Sequence, residues 1–474
     1  MGLGLALAIA PGQADPLLSL TMGQSVDLAL QHNHDMRTSE EDIAAAEARI
    51  REARSAAFPG LDLSAAYNHT WIQPEAVITI SGEDADGNTV KQTQTVAFGQ
   101  PNYLSAGISL QQTLYAGGKV RNGLVAAEVY ADQARARTRA TRHAISYQVQ
   151  RTFLGAAMAR EAIGVAELAL NQARQHRDQV AKRHAGGNAS EFDLLRADVE
   201  VANLEPPLIE ARNRYARTTE QLKAAIGLDM SRAVTVEADL DAAAAALRAA
   251  TAPLLAAAPP THPDSLDFDV DALARLAVGA RAEVEALDFQ GRLLQEQLAI
   301  DRGDRRPSVA LIGQYQWEWQ LPNEWRTRSE DLTDSWTTGL ALSLPLYDGG
   351  RTRARVAQTR AAQRQVEIAR NKLEDGIYLE VRNALLDLRE AEQKIRAQGR
   401  TVEQAERALA IADVRFGGGM ATQLEVLDAQ LAVTASRTQQ IKATHDYAVA
   451  LATVAYATGH TIPATELEET RRSQ

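Results

Sequence analysis

The chain has no cysteine in its 474 residues. That excludes a disulfide framework, a thiolate metal site, a cysteine nucleophile and a lipid-bearing N-terminal cysteine. Aromatic residues make up only 5%, which suits long, closely packed, alanine-rich helices better than a thick mixed core. No run of eighteen or more strongly apolar residues is present, so no membrane-spanning helix is expected. Basic residues are outnumbered, 50 against 61 acidic, for a formal net charge of -11. That balance argues against a nucleic-acid partner.

Chemical motifs are missing too. There is no G-x-S-x-G, no H-E-x-x-H and no P-loop. "YAGGKV" has Gly and Lys at the wrong spacing. The nine histidines are scattered, and His32 and His34, two apart, do not share a helix face. No catalytic residue, metal site or cofactor is expected.

What the sequence does contain is a long duplication. "RHAGGNASEFDLLRAD" at 183–198 returns as "RFGGGMATQLEVLDAQ" at 415–430, an offset of 232. "LYAGGKVR" at 114–121 returns as "LYDGGRTR" at 346–353 with the same offset. Upstream, Phe58-Pro59 matches Arg306-Pro307 at an offset of 248. The first repeat is expected over 15–227 and the second over 269–459. An Ala- and Pro-rich connecting segment occupies 228–268, and 460–474 form a tail. Before them, "MGLGLALAIAPGQA" reads as a secretory signal peptide over residues 1–14, without its basic start.

Each repeat has the same expected order. A helix comes first, over 21–56 or 269–302, and a proline ends it. Two segments with period-two alternation follow, at 61–73 and 102–115, then at 308–321 and 336–347. Leu61, Leu63, Ala65, Tyr67 and Trp71 alternate with Asp62, Ser64, Asn68 and Thr70. Leu104, Ala106, Ile108, Leu110 and Leu114 share a face, as do Trp336, Leu340, Leu342, Leu344 and Leu346. These are strands with one oily and one wet face, long enough to cross a bilayer at a tilt. Tyr67, Trp71, Trp317, Trp319 and Trp336 sit where interfacial girdles occur in outer-membrane barrels. Four strands cannot close a barrel, and an open edge is not tolerated in lipid. A membrane reading therefore needs several chains to share one barrel; the other reading of the strands is a half-buried sheet in a soluble domain.

Long proline-free helices come next, 119–183 and 351–415, each about 98 Å at 1.5 Å per residue. Val381, Leu388, Ile395, Val402, Leu409 and Phe416 recur every seven residues, with mostly Ala three residues later. That is a coiled-coil seam. Gly186-Gly187 and Gly417 to Gly419 end these helices. Ser190-x-x-Asp193 and Thr422-x-x-Glu425 then open returning helices over 190–226 and 422–458; the second fits a capping box and the first is close to one, with Asp for Glu. Each repeat thus carries one helical-hairpin tip. Glu425 and Asp428, three apart, lie on one helical face.

With "SLPLYDGGRTRARVAQ", "RFGGGMATQLEVLDAQ" and their first-repeat partners on view, the chain resembles the outer-membrane efflux protein family typified by TolC. The resemblance implies a mixed architecture of α-helical coiled coil and β-barrel. Three chains would share a 12-stranded outer-membrane β-barrel, four strands each, above a long periplasmic α-helical barrel. It implies a homotrimer in the outer membrane of a Gram-negative bacterium, in contact with outer-membrane lipid. Its partners would be a periplasmic adaptor and an inner-membrane transporter of the resistance-nodulation or ABC type. The expected function is a passive exit duct of a tripartite efflux pump, not an enzyme. The alternatives are the outer-membrane part of a type I secretion system or, in a different class, a coiled-coil scaffold. The family's tip motif, Tyr-x-x-Gly-x-x-Ser/Thr, places adaptor docking at His184, Gly187 and Ser190, and at Phe416, Gly419 and Thr422. Asp193, Glu425 and Asp428 match acidic positions at the family's aperture. Phe416 and Ala421 stand where some members carry a locking Tyr and Arg, so a closed mouth here needs another latch.

Overall fold

A computed structural model describes residues 18–83, 89–97, 101–237, 239–257, 268–321, 332–460 and 462. The signal-like segment at 1–14, most of the polar link after Leu321 and the tail beyond Ile462 lie outside the described residues. In chain order the span expected to be the first repeat contains β1 (Leu18–Leu20), α1 (Met22–His32), α2 (His34–Ser55), β2 (Gly60–His69), β3 (Glu75–Glu83), β4 (Thr89–Ala97), β5 (Asn102–Ala116), α3 (Lys119–Ala185) and α4 (Glu191–Ile226). The connecting segment holds β6 (Val234–Val236) and α5 (Leu240–Ala256). The second repeat contains α6 (Val270–Ala280), α7 (Ala282–Gly303), β7 (Ser308–Leu321), β8 (Leu332–Ser343), α8 (Arg351–Gly417) and α9 (Gln423–Ala457). Among the described residues no helix is long and apolar enough to cross a membrane.

The chain divides into two compact units. The first comprises Met1–Ala44, Asp132–Asp288 and Glu367–Gln474 and is helical apart from β1 and β6. Its main core gathers Val149, Phe153, Leu222, Ile226, Leu388 and Leu451 with many alanines. The small side chains let helices approach closely. The heptad stripe of α8 serves two cores in turn. Val381 and Leu388 belong to the main one, and Leu409, Ala412 and Phe416 to a second, smaller one.

The single helices expected at 21–56 and 269–302 are each two helices, broken at Asn33 and Arg281. The cause is the arrival of the returning helices. Gly227 caps α4 with φ of 83°, and a Cβ there would lie 2.6 Å from the His32 carbonyl oxygen. Gly459, with φ of 73°, meets Ala280 and Arg281 in the same way, 3.1 Å from a hypothetical Cβ. Asn33 stabilises its break by donating to the Ala225 carbonyl at 2.8 Å and accepting from the Asp35 amide at 2.8 Å. Arg281, side chain 7% exposed, instead pairs with Glu283 and Glu380 and lies over the Tyr456 ring. Burial works against its charge, and the two carboxylates outweigh it, so the guanidinium is held protonated.

The second unit, Ala45–Ala131 and Phe289–Val366, holds a four-stranded antiparallel sheet in the order β2-β5-β7-β8. Residues opposite one another share a face, so Leu63, Ile108, Tyr315 and Trp336 form one apolar row. Ser64, Gly107, Gln316 and Ser335 form the polar row beside it. The alternation in sequence is therefore a real division of faces. Three details differ from expectation. β2 stops at His69, so Trp71 lies beyond it, and a separate hairpin, β3 with β4, follows. That hairpin's second strand, "TVKQTQTVA", alternates polar with polar and gives little periodic signal. A bulge between Thr113 and Tyr115 takes Leu114 out of the ladder and puts Tyr115 opposite Val309. Lastly, β8 spans Leu332–Ser343 rather than 336–347, leaving Leu344, Leu346 and Tyr347 exposed past its end.

Candidate functional site

The two helical hairpins, α3–α4 and α8–α9, end in tips built alike. Long helix and return are joined by a left-handed glycine, Gly187 at φ of 77° and Gly419 at φ of 74°. In the first tip the Gly187 amide donates to His184 O and the Asn188 amide to Arg183 O. In the second, Gly419 donates to Phe416 O and Met420 to Arg415 O. Each crossed pair satisfies carbonyls that the helix end would otherwise orphan. Among the described residues nothing lies within 4 Å of a Cβ built on either glycine, so the backbone angle alone demands glycine.

Reciprocal capping boxes then restart the chain. The Ser190 hydroxyl accepts from the Asp193 amide at 3.1 Å, and Asp193 Oδ2 accepts from the Ser190 amide at 3.0 Å. Thr422 and Glu425 repeat this, with Glu425 Oε1 accepting from the Thr422 amide at 3.1 Å. The Ser190 hydroxyl and amide hold the Asp193 carboxyl below its ordinary range. For Glu425 the Thr422 amide is the main cause, helped by Arg415 at 3.4 Å. Both acids therefore stay charged at neutral pH while serving as caps. Asp428 lies one turn further along the exposed face of α9.

The tips are also tied to each other. Arg183 reaches from the first hairpin to the Phe416 and Gly417 carbonyls, at 2.6 and 2.8 Å. Its guanidinium stacks 4.4 Å above the Phe416 ring centroid. Gln423 donates across to Asp193 O at 3.1 Å. Val180 and Ala197 from one hairpin pack with Leu409, Phe416, Val426 and Val433 from the other. His176 lies against Phe416 with ring centroids 5.0 Å apart, and its Nε2 has no hydrogen-bond partner. Burial, then the nearby Arg183 charge, push its pKa down. Phe416, 8% exposed, is thus part of what joins the tips. His184 is half-buried, with Nδ1 3.1 Å from Ala189 O. Sequence reasoning passed over Arg183, His176 and Gln423. The signal for Arg183 was present, since Arg183 and Arg415 occupy the same place in the repeat.

Two capped helical-hairpin tips and a two-faced antiparallel sheet in one chain make a mixed helical and β architecture. The profile of the family described as outer membrane efflux protein matches residues 25–228 and 273–460. The chain belongs to that family, whose members are channel proteins, and its place is the outer membrane. It is 26% identical to the alkaline protease secretion protein AprF of Pseudomonas aeruginosa, over 76% of this chain and 70% of that one. It is 24% identical to the outer membrane efflux protein BepC of Brucella suis, over 96% of this chain and 88% of that one. Among solved structures, the CmeC outer membrane channel of Campylobacter jejuni superposes with a TM-score of 0.70 at 15% identity, covering 95% of this chain and 88% of that one.

Proposed function

We propose that three copies of this chain form the passive exit duct of a tripartite efflux pump. The observation that carries this reading is the pairing of two identically built, capped tips on one small core. They give each copy two matched presentation sites at one surface. A periplasmic adaptor would dock around Gly187, Ser190, Gly419 and Thr422, with His184 beside them and Phe416 holding the two tips in register. An inner-membrane transporter supplies the energy, and the duct catalyses nothing. Leu63, Leu110, Leu311 and Leu342 face lipid, with Tyr67, Trp71, Trp317, Trp319 and Trp336 towards the membrane interfaces.

Around a three-fold axis, Glu425 and Asp428 would place six carboxylates near the aperture, with Asp193 behind them. Such a ring attracts cations and repels anions. Single-channel recording in planar bilayers tests this. Glu425→Gln with Asp428→Asn is expected to weaken cation selectivity and abolish block by multivalent cations added from the tip side. Unchanged selectivity and block would place the constriction elsewhere. The likeness to AprF, a secretion protein by name, favours a second reading, the outer-membrane part of a type I secretion system. Restoring drug resistance and restoring secretion of a protein substrate in strains lacking each duct would separate the two.

A further inference from the structure

Between α3, α4 and α9 lies a cavity of about 450 Å³, a size that suits a small organic molecule. All three helices contribute to it from within the helical unit. Its floor is apolar. Met158 and Ala162 stand one turn apart on α3, and Ile441 lines it from α9. Met158 and Ile441 are only half-buried, so this apolar surface is left open to water. Arg214 of α4 and Lys442 of α9 line the same cavity, and both are exposed. Among the described residues neither forms an ion pair, whereas arginines close to each do so. Arg212 pairs with Glu167 at 2.8 Å, and Arg437 with Glu406 at 2.6 Å. The carboxylate among the lining residues, Asp446, lies 3.0 Å from His445 Nδ1.

The second repeat shows that the fold does not require this apolar floor. The residues 232 positions after Met158 and Ala162 are Glu390 and Lys394, which close an ion pair at 2.6 Å. The residue matching Arg214 is Asp446, whose charge acts on Lys394. That surface satisfies its own charges. In the first repeat the same three places hold a methionine, an alanine and an arginine. The floor there carries no charge, and the rim carries one without a partner. The connecting segment does not close the gap either. The Leu240 amide donates to Glu161 at 2.9 Å, the Val236 amide to the Tyr215 hydroxyl at 3.1 Å, and Thr444 reaches Asp241 at 3.4 Å. None of Glu161, Tyr215 and Thr444 lines the cavity.

We propose that this cavity binds an amphipathic organic anion, an apolar ring body that bears one carboxylate or sulfonate. The ring body covers Met158, Ala162 and Ile441 and takes their open surface out of water. The anionic group lies towards Arg214 and Lys442. The guanidinium offers a planar fork to a carboxylate, and the ammonium adds a movable point charge. A cation of the same shape is repelled by these two groups, and a neutral body gains the apolar contact alone. The unbranched, polarisable Met158 side chain adapts to rings of different outline, so the site selects a class rather than one compound. Its sign is opposite to that of Glu425 and Asp428 in the second hairpin, so it is a separate site. It stands apart from the duct reading, since a single chain supplies every residue.

Photolabelling tests this. The full-length protein in a non-ionic detergent is irradiated with three benzophenones of one shape: anionic 4-benzoylbenzoate, neutral 4-benzoylbenzamide and a trimethylammonium analogue. Mass spectrometry of the peptides locates the label. The anion is expected to label Met158 or Ile441 at least about tenfold more than the other two, through two exposed charge contacts. Arg214→Gln with Lys442→Gln is expected to bring it down to the level of the neutral compound. Met158→Glu with Ala162→Lys, which copies the ion pair of α8, is expected to abolish labelling by all three while circular dichroism shows the helices intact. Arg217→Gln, exposed on α4 but outside the cavity, leaves labelling unchanged. Equal labelling by the three compounds overturns the choice of an anion. An anion preference that survives loss of Arg214 and Lys442 overturns their role. Absence of label in the cavity, whatever the mass of the assembly, overturns the site. Conductance reports on the duct separately, so neither reading falls with the other.

Discussion

Arg183 and Arg415 occupy the same position in the two repeats and do different work. Arg183 crosses to the other hairpin and holds the Phe416 and Gly417 carbonyls. Arg415 stays at home, bonding Met420 O at 3.0 Å and Glu425 at 3.4 Å. The helix breaks diverge in the same manner, with a neutral amide at Asn33 and a buried ion pair at Arg281. Duplication supplies the same backbone twice, and each copy's surroundings decide what a side chain at a given place can reach. The first tip provides the clasp and the second provides the clasped carbonyls, so the pair is joined asymmetrically.

The comparison can be sharpened most strongly at the C-caps. Gly227→Ala is expected to cost about 3 kcal/mol, combining a left-handed backbone with collision against His32. Gly459→Ala meets a looser neighbourhood and is expected to cost about 2 kcal/mol. Thermal unfolding of the detergent-solubilised protein measures both, and a reversed order would mean the first break is the softer one. Next come the arginines. Arg183→Ala is expected to cost about 2 kcal/mol through its charge-assisted bonds and ring contact. Arg415→Ala, at an exposed pair, is expected to cost under about 1 kcal/mol. Only the former should let cysteines placed on the two hairpins drift apart, as double electron–electron resonance distances would report.

The smallest effect is a pH slope. His176 is buried and its folded pKa lies below its ordinary value of 6.5, so the unfolded chain binds the proton more readily. Its contribution to stability is complete above about pH 6.5 and is lost as the pH falls below that value. Its repeat partner Ala408 has no titratable group. Protection factors of the amides near Phe416, which are corrected for the pH dependence of intrinsic exchange, should therefore fall on mild acidification, and His176→Phe should remove that dependence. An unchanged slope in the variant would assign the effect to another group.

Much of this was legible without coordinates because it is periodic or local. Heptads place α8 against its neighbours, alternation divides the faces of β7, and Ser190-x-x-Asp193 closes a capping box from its own first turn. What escaped was decided by distant parts of the chain. The breaks at Asn33 and Arg281 exist because helices nearly two hundred residues away end against them. The β1–β6 pairing of Leu18 with Val234 joins segments too short to show a pattern. Phe416 reads in sequence both as the end of the heptad seam and as the aromatic of a docking motif, and only the fold shows that the first hairpin's Val180 and Ala197 pack with it.

The sequence by itself determined the long helices with their glycine stops, the alternating strands and the two faces of the sheet, since each follows from spacing within a few turns or from a glycine's backbone freedom. The tertiary structure alone decided which hairpin clasps the other, where the long N-terminal helices break, and which strands stand at the edges of the sheet. Those outcomes depend on what stands within a few ångströms of a side chain after the chain has come back on itself, and no local spacing encodes that neighbour.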